Sequence, residues 1–149
     1  MYPNAFNAYQ RSAANTVENN SQILLKLYGG TIRFVRMAKK GIEENRPDIR
    51  GEHISKVMAI ITELQCALDM EKGGQISRQL DSLYQYAMNR LSVANCRNNT
   101  AALDEVEQIL ITLKEGFEDA ARQQQMRKTP VIPIIQEAPR AREEFRCAI

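Results

Sequence analysis

Side chains that could do chemistry are few in this sequence and widely separated. Its single histidine, His53, would have to serve as the general base of any serine or cysteine nucleophile. The three cysteines are odd in number and too far apart for the spacing of zinc ligands, so we interpret them as reduced thiols. The glycine pairs at 29–30 and 73–74 lack the lysine and Ser/Thr of a phosphate-binding loop. These residue types predict no enzyme, no metal site and no cofactor.

Composition narrows the class of protein further. The chain has 149 residues, of which 44% are hydrophobic and 26% charged, and this is typical of one globular domain. Its net charge of only +2 argues against a nucleic-acid partner. No apolar run approaches the roughly 18 residues that would predict a membrane span, and the N-terminus lacks the pattern of a secretory signal. We therefore expect a cytoplasmic protein.

Four stretches place apolar residues at spacings of three and four, which predicts four amphipathic helices and no strand. We expect them at about 20–45, 48–71, 75–96 and 100–125, with breaks at Pro47, at the second glycine pair and at Asn98. Long helices joined by short loops pack against antiparallel neighbours. The prediction is an all-α, up-down-up-down four-helix bundle.

Two segments fall outside the predicted bundle of residues 20–125. Residues 1–19 carry isolated aromatic side chains, among them Phe6 and Tyr9, and are either a frayed end or a flap over the bundle. Residues 126–149 contain three prolines, which exclude a regular helix and predict an extended or disordered tail. Within this tail, Val131 to Ile135 could instead contact a partner or fold back on the body.

The first predicted helix is apolar over too wide an arc. Leu25 and Ile32 lie to one side of its main stripe, and Ile23, Phe34 and Met37 lie to the other. The apolar arc spans about 240°, whereas a helix packed on one side needs little more than about 100°. Either neighbouring helices bury this helix on several sides, or its surplus face forms a groove for a partner helix.

Several short motifs resemble the FliS family of flagellar export chaperones. They are Ala8-Tyr9-Gln10-Arg11, Leu27-Tyr28-Gly29-Gly30, the run from Asp69 to Ile76, and Ala94-Asn95. The resemblance covers roughly residues 6–121, in order and with nearly the family's spacing. Two departures stand out: Val17-Glu18-Asn19-Asn20 replaces the family's Ser/Thr-Pro pair, and the tail matches nothing expected of the family.

The resemblance implies a cytoplasmic chaperone that binds the disordered C-terminal region of flagellin. Such a chaperone prevents premature polymerisation and keeps its client competent for the flagellar type III export apparatus. An export-gate protein and other flagellar regulators are further implied partners, and the free protein is either a monomer or a homodimer. The alternative function is a helical adaptor or a secretion chaperone for a different client.

The resemblance also suggests site residues on the first and third helices. Phe6 and Tyr9 are expected to cover the client groove or to contact the export gate. For most of the groove residues, burial in the bundle core is the competing interpretation, and it is favoured for Leu24, Leu27 and Leu80 as well as for the neighbouring Leu83. The residues expected in the groove are Ile23, Leu24, Leu27, Ile32, Ile76, Leu80 and Tyr84.

Overall fold

A computed structural model describes residues 3–128 of the chain as four helices joined by short turns. The helices are α1 (Pro3–Glu43), α2 (Pro47–Cys66), α3 (Gly74–Arg97) and α4 (Thr100–Lys128). No strand occurs within the described residues, which confirms the predicted all-α bundle. The predicted tail began at residue 126, but α4 continues as a helix to Lys128; the rest of that prediction, for residues 129–149, lies outside the described part of the chain.

The helices pack in a cycle in which each contacts the two that adjoin it. α1 lies between α2 and α4, α3 also lies between α2 and α4, and the two diagonal pairs make no close backbone contact. Cross-helix ion pairs show the antiparallel direction, since Arg36 pairs with Glu107 whereas Lys39, further along α1, pairs with the earlier Asp104. The up-down-up-down order follows.

α1 begins at Pro3, so the predicted start near residue 20 was wrong. That prediction relied on the cap-competent side chains at 19–21, but these lie inside a continuous helix. Residues 4–19 contain neither proline nor glycine and include several alanines, so nothing interrupts the helical hydrogen bonds. The Thr16 hydroxyl donates a hydrogen bond to the Ser12 carbonyl oxygen at 2.9 Å, as helical threonines often do.

α2 ends at Cys66, about a turn earlier than predicted, because Asp69 organises the connection to α3. Its Oδ1 accepts hydrogen bonds from the backbone amides of Glu71 and Lys72, at 3.0 and 2.9 Å. Its carbonyl accepts the Ser77 hydroxyl at 2.8 Å. Gly74 adopts a φ of +52°, so the glycine pair does serve the turn, as the sequence indicated.

The core runs along the middle of the bundle and draws on all four helices. Most of its members are aliphatic or alanine, but two tyrosines are buried with them. The buried apolar residues are Tyr28, Ile32, Val35, Ala38, Ile54, Val57, Ile61, Leu64, Tyr84, Ala87, Leu91, Ala94, Ala102, Leu103, Val106 and Leu110.

Candidate functional site

The residues predicted to line a groove divide by burial into three sets. Ile32 and Tyr84 belong to the core, and Leu24 and Leu80 pack against it while remaining partly accessible. The remaining three are exposed: 36% of Leu27, 62% of Ile23 and 69% of Ile76 is accessible to solvent.

Ile23 and Leu27 lie on the face of α1 that points toward α2. Phe34 fixes the direction of that face, because its ring lies 5.8 Å from the His53 ring and 5.4 Å from the Lys56 ammonium, both on α2. Leu27 precedes Phe34 by two helical turns and Ile23 precedes it by three, so all three share one side of α1.

Gly30 lies between Leu27 and Phe34 on this same side of α1. A Cβ atom added there would meet nothing within 4 Å, so the backbone of α1 is open to approach at this point. We call the surface formed by Ile23, Leu27, Gly30 and Phe34 the α1–α2 seam. It is a shallow apolar strip whose central residue has no side chain.

A second exposed strip lies where α3 meets α4. Tyr86 donates its phenol proton to Glu105 at 2.6 Å, and Arg90 pairs with the same carboxylate at 2.9 Å, so this side of α3 points toward α4. Leu83 and Ile76 precede Arg90 by two and four turns and therefore share that side. Leu83, for which burial in the core was favoured, is in fact exposed.

The opposing helix again supplies an open glycine. Gly116 follows Glu105 by three turns of α4, and an added Cβ atom there would meet nothing within 4 Å. We call the surface formed by Ile76, Leu83 and Gly116 the α3–α4 seam.

The two seams lie on opposite sides of the bundle. In a cycle of four helices, the α1–α2 and α3–α4 contacts are opposite edges. The structure therefore does not bring Ile23 and Leu27 into one groove with Ile76. Sequence reasoning missed Gly30, Leu83 and Gly116 as surface features, although their spacing from neighbouring apolar residues carried the signal.

Beneath the seams, a pair of tyrosines joins the two diagonal helices. The phenols of Tyr28 on α1 and Tyr84 on α3 share a short hydrogen bond, and Phe117 of α4 stacks on Tyr28 with ring centroids 5.6 Å apart. Burial raises the pKa of both phenols above the usual range, and the bond to Tyr84 raises the pKa of Tyr28 further. Both groups remain protonated near neutral pH and tie α1 to α3.

Phe6 and Tyr9 lie on the first turns of α1 and are 65% and 73% exposed. Val17, three turns after Phe6, continues the same side of the helix and is 46% exposed. We call Phe6, Tyr9 and Val17 the N-terminal stripe. The stripe belongs to a continuous helix, and its action as a flap stays a prediction.

His53 and two of the three cysteines lie within the described residues. His53 holds its Nδ1 2.8 Å from the Ile49 carbonyl oxygen, one turn back along α2. Cys66 and Cys96 are exposed free thiols. Within residues 3–128, no group of three or more acidic, histidine or cysteine side chains is placed to hold a metal ion. No helix in the same range is both long and apolar enough to cross a membrane.

Comparisons with known proteins identify the family of this chain. Residues 2–124 match the family described as "Flagellar protein FliS". The chain is 31% identical to the flagellar secretion chaperone FliS of Bacillus subtilis over 117 residues, which are 78% of this chain and 86% of the relative. It is 33% identical to the Campylobacter jejuni chaperone over 115 residues, covering 77% and 89%, and 36% identical to the Salmonella typhimurium chaperone over 97 residues, covering 64% and 72%. These relatives are named as chaperones, and none is named as an enzyme. The chain therefore belongs to the FliS family of flagellar secretion chaperones.

Proposed function

We propose that this chain binds the C-terminal region of flagellin in the cytoplasm, prevents its premature polymerisation and keeps it competent for flagellar type III export. The observation that carries the proposal is the pair of apolar seams, each with an open glycine, on the body of a secretion chaperone. Subunits that assemble through apolar helical faces must have those faces covered until assembly, and an apolar strip on another protein can cover them.

The dimensions of the seams suit helical segments of the client. From Ile23 to Phe34 the α1–α2 seam runs about 16 Å, or three turns, at 1.5 Å per residue. A helix laid along it would present apolar residues at i, i+3, i+4 and i+7 and could approach closely over Gly30.

Two seams on opposite sides of the bundle favour a client that is unfolded when it binds. A folded client would reach one side only, whereas a disordered segment can pass around the molecule and order itself on both seams. Part of the free energy of contact is then lost to ordering the client, and this limits the affinity of a client that must later be released.

Calorimetric titration of the full chain with the last 40 or so residues of its own organism's flagellin, enough for about 60 Å of helix, tests the proposal. Saturable one-to-one binding with a clearly negative heat-capacity change is expected, because binding buries apolar surface on both partners. Absence of binding at every temperature would remove flagellin as the client and would favour a secretion chaperone or adaptor for another protein.

A matched pair of glycine variants locates the binding surface. Gly30→Leu should weaken binding about tenfold or more by filling the α1–α2 seam, while the melting temperature holds or rises because leucine favours helix over glycine. Gly29→Leu is the control. Gly29 precedes Arg36, which pairs with Glu107 of α4, by two turns and so lies on another side of α1. Equal weakening by both variants would place the client elsewhere.

Phe6 and Tyr9 carry a second proposed role. Their exposure on a continuous helix favours contact with another protein, such as the export gate, over covering the seams, because covering would require α1 to bend. The double variant Phe6→Ser/Tyr9→Ser should then leave the affinity for the flagellin peptide unchanged and reduce export. Tighter peptide binding by the variant would support the covering role instead.

A further inference from the structure

α1 and α4, the first and last helices, extend past the end of the bundle that holds the α2–α3 turn. Gly41 lies against Arg50, and Phe34 lies against His53, so the antiparallel register brings the last residue of α2, Cys66, to the level of Ile23. Every residue of α1 before Ile23 therefore extends beyond α2. α3 begins only at Gly74, on the other side of the same turn.

α4 accompanies this extension of α1 on one flank. Val17 and Leu25 of α1 and Ala121 of α4 line one shared cavity. Further out, Asn7, Gln10 and Arg11 line another with Lys128, the last residue of α4. The extension is thus supported by α4, and the flank that α2 would have covered is left open.

The N-terminal stripe continues the side of α1 that the bundle buries, and Val17 at its inner end also lines the cavity shared with α4. Tyr9 and Val17 follow Phe6 by three and eleven residues, which places all three on one side of α1. Further along the same helix, Leu24 and Val35 follow Phe6 and Val17 by 18 residues, or five turns; Val35 lies in the core and Leu24 packs against it. Large apolar side chains aligned in this way on a helix are typical of a face that has a partner.

The chain itself supplies an occupant at the right place. Lys128 lies beside Asn7 and Gln10, next to Phe6 and Tyr9 in the sequence, and the chain continues from there through residue 149. Four large aliphatic residues follow within seven positions of Lys128, interrupted by one proline: Val131, Ile132, Ile134 and Ile135. This stretch lies beyond the residues that match the family, 2–124.

The length and the chemistry of residues 131–135 both suit the N-terminal stripe. At about 3.3 Å per residue, residues 131–135 can reach roughly 10–23 Å from Lys128, and Phe6 to Val17 spans about 16 Å of helix. Pro133 has no backbone N–H group, so burying this segment leaves one fewer donor without a partner.

We infer that residues 131–135 pack in cis against the N-terminal stripe of α1, in the space left where α2 ends. The tail then covers Phe6, Tyr9 and Val17 until a second partner of the stripe, such as the proposed export gate, displaces it. This inference does not depend on the identity of the client, since it concerns only the chain's own residues.

Photo-crosslinking of the full chain tests the inference. Tyr9→p-benzoylphenylalanine places the reactive group on the stripe, and Tyr86→p-benzoylphenylalanine, another half-exposed aromatic position, is the control on α3. After irradiation, the band of monomer mass is isolated and digested with trypsin. In that digest the Tyr9 probe should link peptide 1–11 to peptide 129–140. The control probe should leave peptide 129–140 unlinked.

A tail variant makes the result specific. Ile132→Ser/Ile134→Ser, made in the Tyr9 probe background, should reduce the crosslinked fraction about tenfold, because two apolar side chains lose their burial. Crosslinks at dimer mass whose yield rises with protein concentration would assign the stripe to a second copy and overturn the inference. Crosslinks insensitive to the double substitution, or absent altogether, would overturn it too.

Discussion

Tyr28 and Tyr84 show how one pair of residues can connect helices that are otherwise too far apart to touch. α1 and α3 are diagonal in the bundle, yet the two phenols meet in the core and satisfy each other's hydrogen bonds. A buried hydroxyl without a partner costs about 1–3 kcal/mol. Replacing one tyrosine by phenylalanine leaves the other hydroxyl buried without a partner. The two single variants should therefore lose more stability in sum than the double variant loses.

The pair predicts a loss of stability in alkali. Both phenols have pKa values raised above 10, so the folded protein holds protons there that the unfolded chain releases. The stability that the two phenols contribute is present in full below the ordinary tyrosine pKa of about 10. It falls as the pH rises above that value, by up to about 1.4 kcal/mol per pH unit for each tyrosine. Urea unfolding followed by circular dichroism at a series of alkaline pH values measures this slope.

The double variant Tyr28→Phe/Tyr84→Phe is the control for that experiment. It removes both buried titrating groups while keeping their rings, so its stability should depend much less on pH above 10. A slope equal to that of the unaltered protein would assign the alkaline sensitivity to other groups.

At the scale of the helices, the positions of glycine determine how closely neighbouring backbones can approach each other. An added Cβ atom at Gly41 would lie 2.7 Å from the backbone nitrogen of Arg50, where α1 turns into α2. Nearby, Arg50 reaches across to α3 and donates from its Nε to the Asn95 side chain at 3.1 Å. This end of the bundle is drawn tightly together.

Gly41→Ala should lower the free energy of unfolding by about 1–3 kcal/mol, because backbone atoms must shift to admit the methyl group. Gly116→Ala is the matched control, since an added Cβ atom there meets nothing, and it should gain about 0.5–1 kcal/mol from helix propensity. Denaturant midpoints of the two variants measure both changes. Equal midpoints would contradict the assignment of Gly41 as a contact point.

The helices themselves could be predicted from apolar spacing, but their ends could not. The spacing of apolar residues gave four helices in an antiparallel bundle, because a buried face demands that period. The start of α1 at Pro3 was missed because Asn19 and Asn20 favour a cap over a helix interior, and the continuous helix overrides this weak local preference. The end of α2 depends on Asp69, whose role in the turn no periodicity reveals.

The site was only partly predictable, for a geometric reason. A wide apolar arc on α1 indicated surplus surface, and Ile23 and Leu27 are indeed exposed. One helical wheel cannot tell which neighbour covers which flank, so Ile32 was grouped with the surface although it lies in the core. Ile76 was assigned to the same groove although α3 carries it on the opposite side of the molecule.

On the scale of the whole molecule, the bundle has two different ends and two apolar sides. One end is closed by the α1–α2 turn and the Arg50 contacts. At the other, α1 and α4 extend past the α2–α3 turn. A client that orders itself along both seams would be held on either side of the core, so binding should stabilise the bundle as a unit.

The most direct test of the central claim is seeded polymerisation of flagellin monomers, followed by light scattering, with this chain present. Because the seams are proposed to cover the segments that flagellin uses to assemble, an equimolar amount of the chain should stop filament growth, and the Gly30→Leu variant should restore it while Gly29→Leu does not. Filament growth at the same rate with and without the chain would contradict the account.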